Sequence, residues 1–300
     1  MDKGILNYVG HSIYKRTSRG YKRYVVFRIR CNLHKDYIDD ILDFFNATEL
    51  RRKMLRGTPF FVEQVTRSFF YLDSTLAERV DLIKTHVLIL EEIFTPELLE
   101  KIYACGNSYI NIWQDSYYDK PLTLDLHFDG GQRKEGCLSM MLRYEDAKLY
   151  QIIFWLARDA DGSTSIYIGA MQGLKNGREI IKGLTKAFFG YRTKNLIFYG
   201  LRCLAGCMGA KRICAVTNKG YYAMNHIRSD RKLKTDFAEF WEECGGLHDA
   251  DKRFYVIPVA ERRKSMEELK PSKRAQHRRR FEKMDEIAAS IEKTLAEYKK

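Results

Sequence analysis

The chain has 300 residues, 45% of them hydrophobic and 13% aromatic. That is enough apolar material for a sizeable core and too much for a disordered chain. The net charge of +13 is concentrated: between Met171 and Thr235 fourteen Lys or Arg face only Glu179 and Asp230, so this segment is +12 and the rest is nearly neutral. A basic excess confined to one stretch argues for a local anionic partner. Seven cysteines with no C-x-x-C pair argue against a disulfide framework or a zinc site and predict buried free thiols in a reducing compartment. The N-terminus lacks the apolar run of a signal peptide, and no window reaches the ~18 apolar residues of a spanning helix. The expected location is the cytoplasm, with peripheral contact to the inner membrane as the variant.

Residues 15–30 carry seven basic residues and no acid, interleaved with Tyr21, Tyr24 and Phe27. Two readings stand: a nucleic-acid or anionic-lipid contact, or a solvated strand or helix edge. From Lys35 to about Leu99 the pattern is helical. Ile38, Ile41, Leu42 and Phe45 share one face. Over 74–92, Ser74 is the expected N-cap, with Leu76, Val80, Ile83, Val87 and Leu90 inward. Thr95-Pro96 opens a further helix that ends at Gly106. At Ser108 the rhythm changes to short runs suited to strands: SYINIW, LTLDLHF, CLSMMLRY, LYQIIFWLA and SIYIGAM. After Gly173 come two helices broken by the turn GYRTKN, with Thr193 as expected N-cap of the second. The strand RICAV, an aromatic helix FAEFWEEC and the strand RFYVIPV follow. The tail from Pro271 is a long charged helix with Phe281, Met284, Ile287, Ile291 and Leu295 as a narrow apolar stripe. Its basic half, KRAQHRRR, is either a phosphate contact or a solvated face; weak, non-specific nucleic-acid binding is the most expected of it.

An antiparallel meander leading into strand–helix–helix–strand resembles the core of GNAT acyltransferases, and LRCLAGCMGAKRICAVTN resembles their central helix and next strand. The resemblance implies that the strand before the helix splays from its neighbour, that the gap admits the pantetheine arm of an acyl donor, and that helix-start amides hold its pyrophosphate. Gly169, Gln172 and Gly173 are the donor-binding candidates at the first turn. Neither that turn nor the one at 190–194 spells Q/R-x-x-G-x-G/A. Six pieces in order, EGCLSMML (135–142), LYQIIFW (149–155), IGAMQG (168–173), the stretch 184–205, FAEFWEECGG (237–246) and KRAQHRRRFEKMD (273–285), resemble the bacterial VirK/YbjX family, a domain of unknown function. That resemblance implies a cytoplasmic or membrane-associated bacterial protein linked to virulence and to antimicrobial-peptide resistance. The chain departs from it after RICAV, where NKGYYAMNH stands in place of a polar, His-containing stretch.

For chemistry, His127 lies between Asp125 and Asp129, on one strand face at two-residue steps, as an imidazole beside carboxylates suited to general base work. Glu135 is the other candidate base. Tyr222, with Tyr221 and His226 nearby, follows Asn218 beyond RICAV; the GNAT resemblance implies a tyrosine here that protonates the departing thiolate and an asparagine that contacts pantetheine. Arg192 and Lys194, at a helix N-terminus, form an anion site. No G-x-S-x-G, H-E-x-x-H or Walker A motif occurs, and no metal is expected.

The expected fold is α+β: an N-terminal helical region over 1–105, a GNAT-like mixed sheet with flanking helices over 106–260, and a C-terminal charged helix over 261–300. The strand 166–171 should lie parallel to 211–216. The expected function is an acyltransferase-like enzyme using acyl-CoA or an acidic acyl carrier protein at the inner face of the envelope. A non-catalytic scaffold, a nucleic-acid binder and a peripheral anionic-lipid binder are the alternatives.

Overall fold

The change of period at residue 108 is where helices give way to one sheet. A computed structural model describes residues 3–106, 108–174, 177–225 and 236–300. His226 and five cations of the basic segment (Lys175, Arg228, Arg231, Lys232, Lys234) lie outside the described residues. Seven α-helices precede the sheet: α1 (Lys3–Ile13), α2 (Ser18–Leu33), α3 (Lys35–Asn46), α4 (Glu49–Gly57), α5 (Phe60–Thr66), α6 (Leu76–Ile93) and α7 (Pro96–Leu99), the last running into a π-turn over Glu100–Ala104. The basic, aromatic stretch 15–30 is thus largely helix α2. On α3 the expected Ile38, Ile41, Leu42 and Phe45 are the buried residues.

The cap of α6 is Thr75, not Ser74. Thr75 has Glu78 three residues on, so its hydroxyl accepts from the Glu78 amide while the Glu78 carboxylate accepts from the Thr75 amide. Ser74 has Ala77 at that spacing, and its hydroxyl instead donates to the Phe69 carbonyl.

Eight strands follow among the described residues: β1 (Ile110–Tyr117), β2 (Lys120–His127), β3 (Leu138–Tyr144), β4 (Ala147–Arg158), β5 (Thr164–Gly173), β6 (Arg212–Val216), β7 (Leu247–His248) and β8 (Phe254–Ile257). They form one sheet in the order β1-β2-β3-β4-β5-β6-β8-β7. β1 to β5 are an antiparallel meander, and β5 and β6 pair in parallel as expected. The connection between β5 and β6 holds α8 (Arg178–Ala187) and α9 (Thr193–Cys207), because a parallel neighbour cannot be reached by a hairpin. α10 (Ala238–Glu243) and α11 (Pro271–Ala296) complete the chain.

α9 lies close on the sheet at Gly200, where a Cβ would collide with Leu124 and crowd Met140. α11 packs on α9 and on β1. Met284, Ile287, Ile291 and Leu295 are its buried residues. α6 packs against β4, and the buried apolar residues of helices and sheet form one cluster.

The stripe on α11 gives a test. Ile291 is fully buried, so Ile291→Ala should destabilise by about 2–5 kcal/mol from lost burial and the cavity left behind. Urea unfolding should show a lower midpoint at unchanged slope. An unchanged midpoint would mean that α11 is not docked.

Candidate functional site

The pairing of β5 with its neighbours breaks at one residue. Ile153 pairs with Ala170 and Phe154 with Ile168, which leaves Gly169 as the extra residue of a β-bulge. A bulge bends its strand and sharpens the local twist. On the other side the parallel pairing with β6 ends at Ile168 and Ala215, although β5 runs on to Gly173. β5 therefore runs on past its last partner on β6, which itself ends at Val216.

Glycine is required at the bulge because the backbone of another segment lies against it. A Cβ at Gly169 would collide with the Glu135 carbonyl. Glu135 belongs to the loop between β2 and β3, which crosses the sheet face here. Gly136 lies flat on Phe154, where a Cβ would be 2.6 Å from the Phe154 carbonyl oxygen. The buried Gln64 of α5 pins this loop by donating to the carbonyls of Arg133 (2.7 Å) and Gly136 (3.0 Å). The Phe70 amide donates to the Lys134 carbonyl. The N-terminal helical region thus positions the loop.

The Glu135 side chain is 3% exposed. Oε1 accepts a 3.0 Å hydrogen bond from the Tyr221 hydroxyl. Oε2 is buried and has no hydrogen-bond partner among the described residues. Burial pushes the carboxyl up to about 7, against the opposing pull of the Tyr221 hydrogen bond and the nearby Lys134 and Arg133 charges. Tyr221 is itself held well above the ordinary phenol range, first by burial and then by the Glu135 charge. It remains a donor. Tyr222 lies against it, with ring centroids 4.8 Å apart, and meets Phe69 edge-on. Tyr221 is placed by the turn after β6, where Thr217 accepts from the Gly220 amide and Gly220 accepts from Leu72.

His127 ends β2 on the same sheet face as Asp125. Asp125 is taken up structurally: Asn111 and Thr123 donate to it and Arg143 pairs with it at 2.7 Å. Asp129 is the carboxylate facing the imidazole, with 3.9 Å between His127 Nε2 and its Oδ2. Burial raises the Asp129 carboxyl, but the nearby His127 imidazole and the hydrogen bonds from Gln151 and the Gly131 amide outweigh it and hold the group well below the usual carboxylate range. At 3.9 Å the imidazole itself makes no hydrogen bond to Asp129, and neither of its nitrogens has a partner among the described residues. The face of Tyr109 covers the imidazole at 4.6 Å between centroids. Gln172 exchanges hydrogen bonds with Gln132 of the same loop. The structure therefore brings His127, Glu135, Gly169 and Gln172 together around one loop, and joins Tyr222 to them through Tyr221.

The remaining candidates gather at the start of α9. Its N-cap is Arg192, in extended conformation; Thr193 is the first helical residue. Arg192 donates to Asn195 and pairs with Glu243 at 2.5 Å. The Lys194 ammonium lies 3.8 Å from the centroid of Phe240 on α10. Asn218 donates to Asp236 and accepts from the Phe237 amide, which ties the end of β6 to the approach to α10. Gly173 abuts Tyr150, whose hydroxyl is raised by burial, with Thr193 and Arg192 opposing. The end of β5 and the start of α9 thus meet at Tyr150.

Sequence reasoning missed Gln64, which holds the loop, and undervalued Tyr221 against Tyr222. A glutamine in a short helix has no motif; only Glu63-Gln64 inside an otherwise apolar helix marks it. All seven cysteines are free, with Cys105 exposed. Among the described residues no group of three His, Cys, Asp or Glu could hold a metal, and no helix is long and apolar enough to cross a membrane.

Comparison with known proteins gives the family. Over 170 residues the chain is 32% identical to YbjX, an uncharacterized protein of Escherichia coli K12; the match covers 55% of this chain and 51%, about half, of that relative. Over 265 residues it is 22% identical to an uncharacterized protein of Haemophilus influenzae, covering 87% of this chain and 86% of that one. A variant of a cAMP-binding acyltransferase from Mycobacterium smegmatis aligns with 72% of this chain and 63% of its own at 11% identity and a TM-score of 0.28, a likeness too low to argue from. The model of a protein family of unknown function (DUF535) matches residues 16–293, from the turn before α2 into α11. That span includes the Gly169 bulge, the Glu135 loop and the start of α9, and the chain belongs to the DUF535 family.

Proposed function

We propose that the chain is an acyltransferase-like enzyme that moves an acyl group from acyl-CoA or acyl carrier protein to an amine or hydroxyl acceptor at the inner face of the bacterial envelope. The observation that carries this reading is Glu135: a buried carboxyl poised near neutrality, one oxygen held by Tyr221 and the other without a partner among the described residues, beside the bulge in β5. A base with a pKa near the working pH is the efficient one.

In this reading Glu135 Oε2 takes the proton from the acceptor N–H or O–H as the freed lone pair attacks the thioester carbonyl. The new C–N or C–O bond forms and the C–S bond breaks. Tyr222 protonates the departing thiolate and is reprotonated from Glu135 through Tyr221. The net result is one proton moved from acceptor to thiol. His127, 3.9 Å from Asp129, is the second candidate base. The donor's arm would lie along Gly169, Gln172, Gly173 and Asn218, with its phosphates at the start of α9 near Arg192 and Lys194. Arg178, Lys182 and Lys186 stand exposed at four-residue steps on α8 and suit the acidic surface of a carrier protein. Acylation of an envelope component would account for the links to virulence and peptide resistance that the VirK/YbjX resemblance implies. A non-catalytic scaffold is the rival, favoured by the engagement of Arg192 with Glu243 and of Lys194 with Phe240.

Calorimetric titration of acyl-CoA and of acyl carrier protein separates the two. Charge-assisted contacts contribute roughly 1.5–3 kcal/mol each, so the double variant Arg192→Ala, Lys194→Ala should bind donor more than tenfold more weakly. Its melting temperature should change little, because the Arg192–Glu243 pair is exposed. No donor binding by the wild type would leave the scaffold.

Glu135→Gln tests the chemistry. Transfer should fall by roughly 10²–10⁴-fold with donor affinity kept. The wild-type rate should rise with pH through about 7, since only the ionised carboxylate accepts a proton, and the variant should lack that limb.

The same group makes a stability prediction. Below the unfolded value of about 4.3 the carboxyl is protonated whether folded or not, and contributes nothing. Between there and about 7 the unfolded chain ionises while the folded one does not, so stability falls as pH rises. Above about 7 the full penalty stands, on the order of 3 kcal/mol. Glu135→Gln should therefore be more stable than wild type at pH 8, and the gap should close toward pH 4.5. A gap that does not vary with pH would show that Glu135 is not the titrating group.

A further inference from the structure

The helix α2 is built inside out on one side. Gly20, Phe27 and Cys31 are its buried residues. On the opposite side Tyr21, Val25, Ile29 and Leu33 follow at four-residue steps and point outward, with Tyr21 68%, Ile29 52% and Leu33 72% exposed. A helix on a soluble surface presents polar residues there. Lys22 stands exposed within this stripe, between Ile29 and Leu33 on the helix surface, and cations also flank it: Arg19, Arg23 and Arg30 share one side of the helix at four- and seven-residue spacing, and Arg28 stands on the other. No acid occurs between Lys15 and Arg30.

The side that carries Arg19, Arg23 and Arg30 opens on a cavity of about 690 Å³ between the α1–α2 turn, the end of α5 and the 131–134 loop. Lys15, Arg67, Arg133 and Lys134 also line it, seven cations against the single acid Glu63. Glu63 is 1% exposed and serves as the anchor of that wall: it accepts from Tyr14 at 2.8 Å and pairs with Arg133 at 2.5 Å and Arg67 at 3.3 Å. No acid lies within ion-pair distance of Lys15, Arg19, Arg23 or Arg30 among the described residues. The turn is fixed by Thr17, which accepts from the Gly20 amide, and by Gly20, where a Cβ would collide with the Lys15 carbonyl. Burial, and next the charge of Arg67, hold the Arg30 guanidinium below its ordinary value, against the smaller opposing pull of Tyr14 and Glu63.

We infer that α2 is a membrane-docking helix: its outward apolar stripe enters the interface of an anionic bilayer, and the adjoining cationic cavity takes a phosphate-bearing lipid headgroup. A helix with an apolar face between cationic flanks is the form that lies in a membrane interface, with affinity from both apolar area and anionic lipid. A second copy is the poorer occupant, because a two-fold contact through this face would set its flanking cations against each other. Nucleic acid would use the cations but not four outward apolar residues. The inference deepens the envelope setting proposed above but does not depend on acyl transfer.

Co-sedimentation of the full chain with vesicles tests it, using phosphatidylcholine alone and phosphatidylcholine with 30% phosphatidylglycerol (a probe fraction of roughly one anionic lipid in three). Binding is expected to the anionic vesicles and to fall as salt rises. Arg19→Ala with Arg23→Ala should weaken it about 25-fold, at about fivefold per cation near the surface. Ile29→Ser with Leu33→Ser should weaken it more than tenfold, with circular dichroism and melting unchanged because both side chains are exposed. Glu135→Gln should bind vesicles as the wild type does, so failure of the catalytic reading leaves this one standing. Three results would overturn it: no sedimentation with anionic vesicles, undiminished binding by the Ile29, Leu33 variant, or conversion of a dimer to a monomer by that variant. Stabilisation by inorganic pyrophosphate without any vesicle binding would assign the cavity to a soluble phosphate compound and also defeat the membrane inference.

Discussion

A backbone carbonyl pressed against an α-carbon organises this molecule. The Glu135 carbonyl lies where any side chain at residue 169 would stand, and that contact fixes three things at once. It demands glycine at the bulge. It holds the β2–β3 loop across the sheet, with Gly136 flat on Phe154. It also aims the Glu135 carboxyl past β5 toward Tyr221, on the segment that follows β6. The bulge in β5 and the placing of the Glu135 carboxyl are therefore tied to one contact.

The energetics of that acid run against the fold. A buried carboxyl with one unpartnered oxygen weakens the native state wherever the unfolded chain would ionise. Glutamine would fill the same space and keep a partner for Tyr221 without that penalty. Its presence is explained more readily by chemistry at the carboxylate than by stability. His127 makes the contrast useful. Its neighbour Asp125 is saturated by Asn111, Thr123 and Arg143, an arrangement that serves the sheet. Carboxylates close together in sequence thus differ by what surrounds them: Asp125 is saturated with partners, whereas one Glu135 oxygen has none among the described residues.

Much of the fold was legible in the chain. The switch from 3.6-residue to two-residue periodicity at 108, the apolar stripe of α11 and the parallel neighbour of β5 all follow from local pattern and from handedness. The cap of α6 was misplaced by one residue because Ser74 and Thr75 are equally good cap types, and only the Glu78 spacing separates them. The site was legible residue by residue but not as a set. Glu135 and Tyr221 are 86 positions apart and meet only through the bulge. Gln64, on α5, and Phe70, in the segment between α5 and α6, hold the loop and come from the helical region that sequence reading had kept apart from the sheet. Long-range contacts of this kind leave no periodicity to read.

Charge teaches the same lesson with the opposite sign. The +12 segment was the strongest compositional signal, yet several of its described cations are engaged: Arg192 with Glu243, Lys194 with Phe240, and Arg212 with Asp159. The shorter basic stretch at 15–30 could be read from sequence either as a nucleic-acid or anionic-lipid contact or as a solvated edge. Folding gives it a wall of further cations from Arg67 and Arg133, ordered by one buried glutamate, beside a face of outward apolar residues. Net charge counts residues, but recognition depends on which charges lack partners and converge on one space. By that measure the N-terminal helices are not an appendage to the sheet. They hold the Glu135 loop on one side and carry the convergent charge on the other. A membrane-docked α2 would therefore set the height and orientation at which the Glu135 loop sits relative to the bilayer.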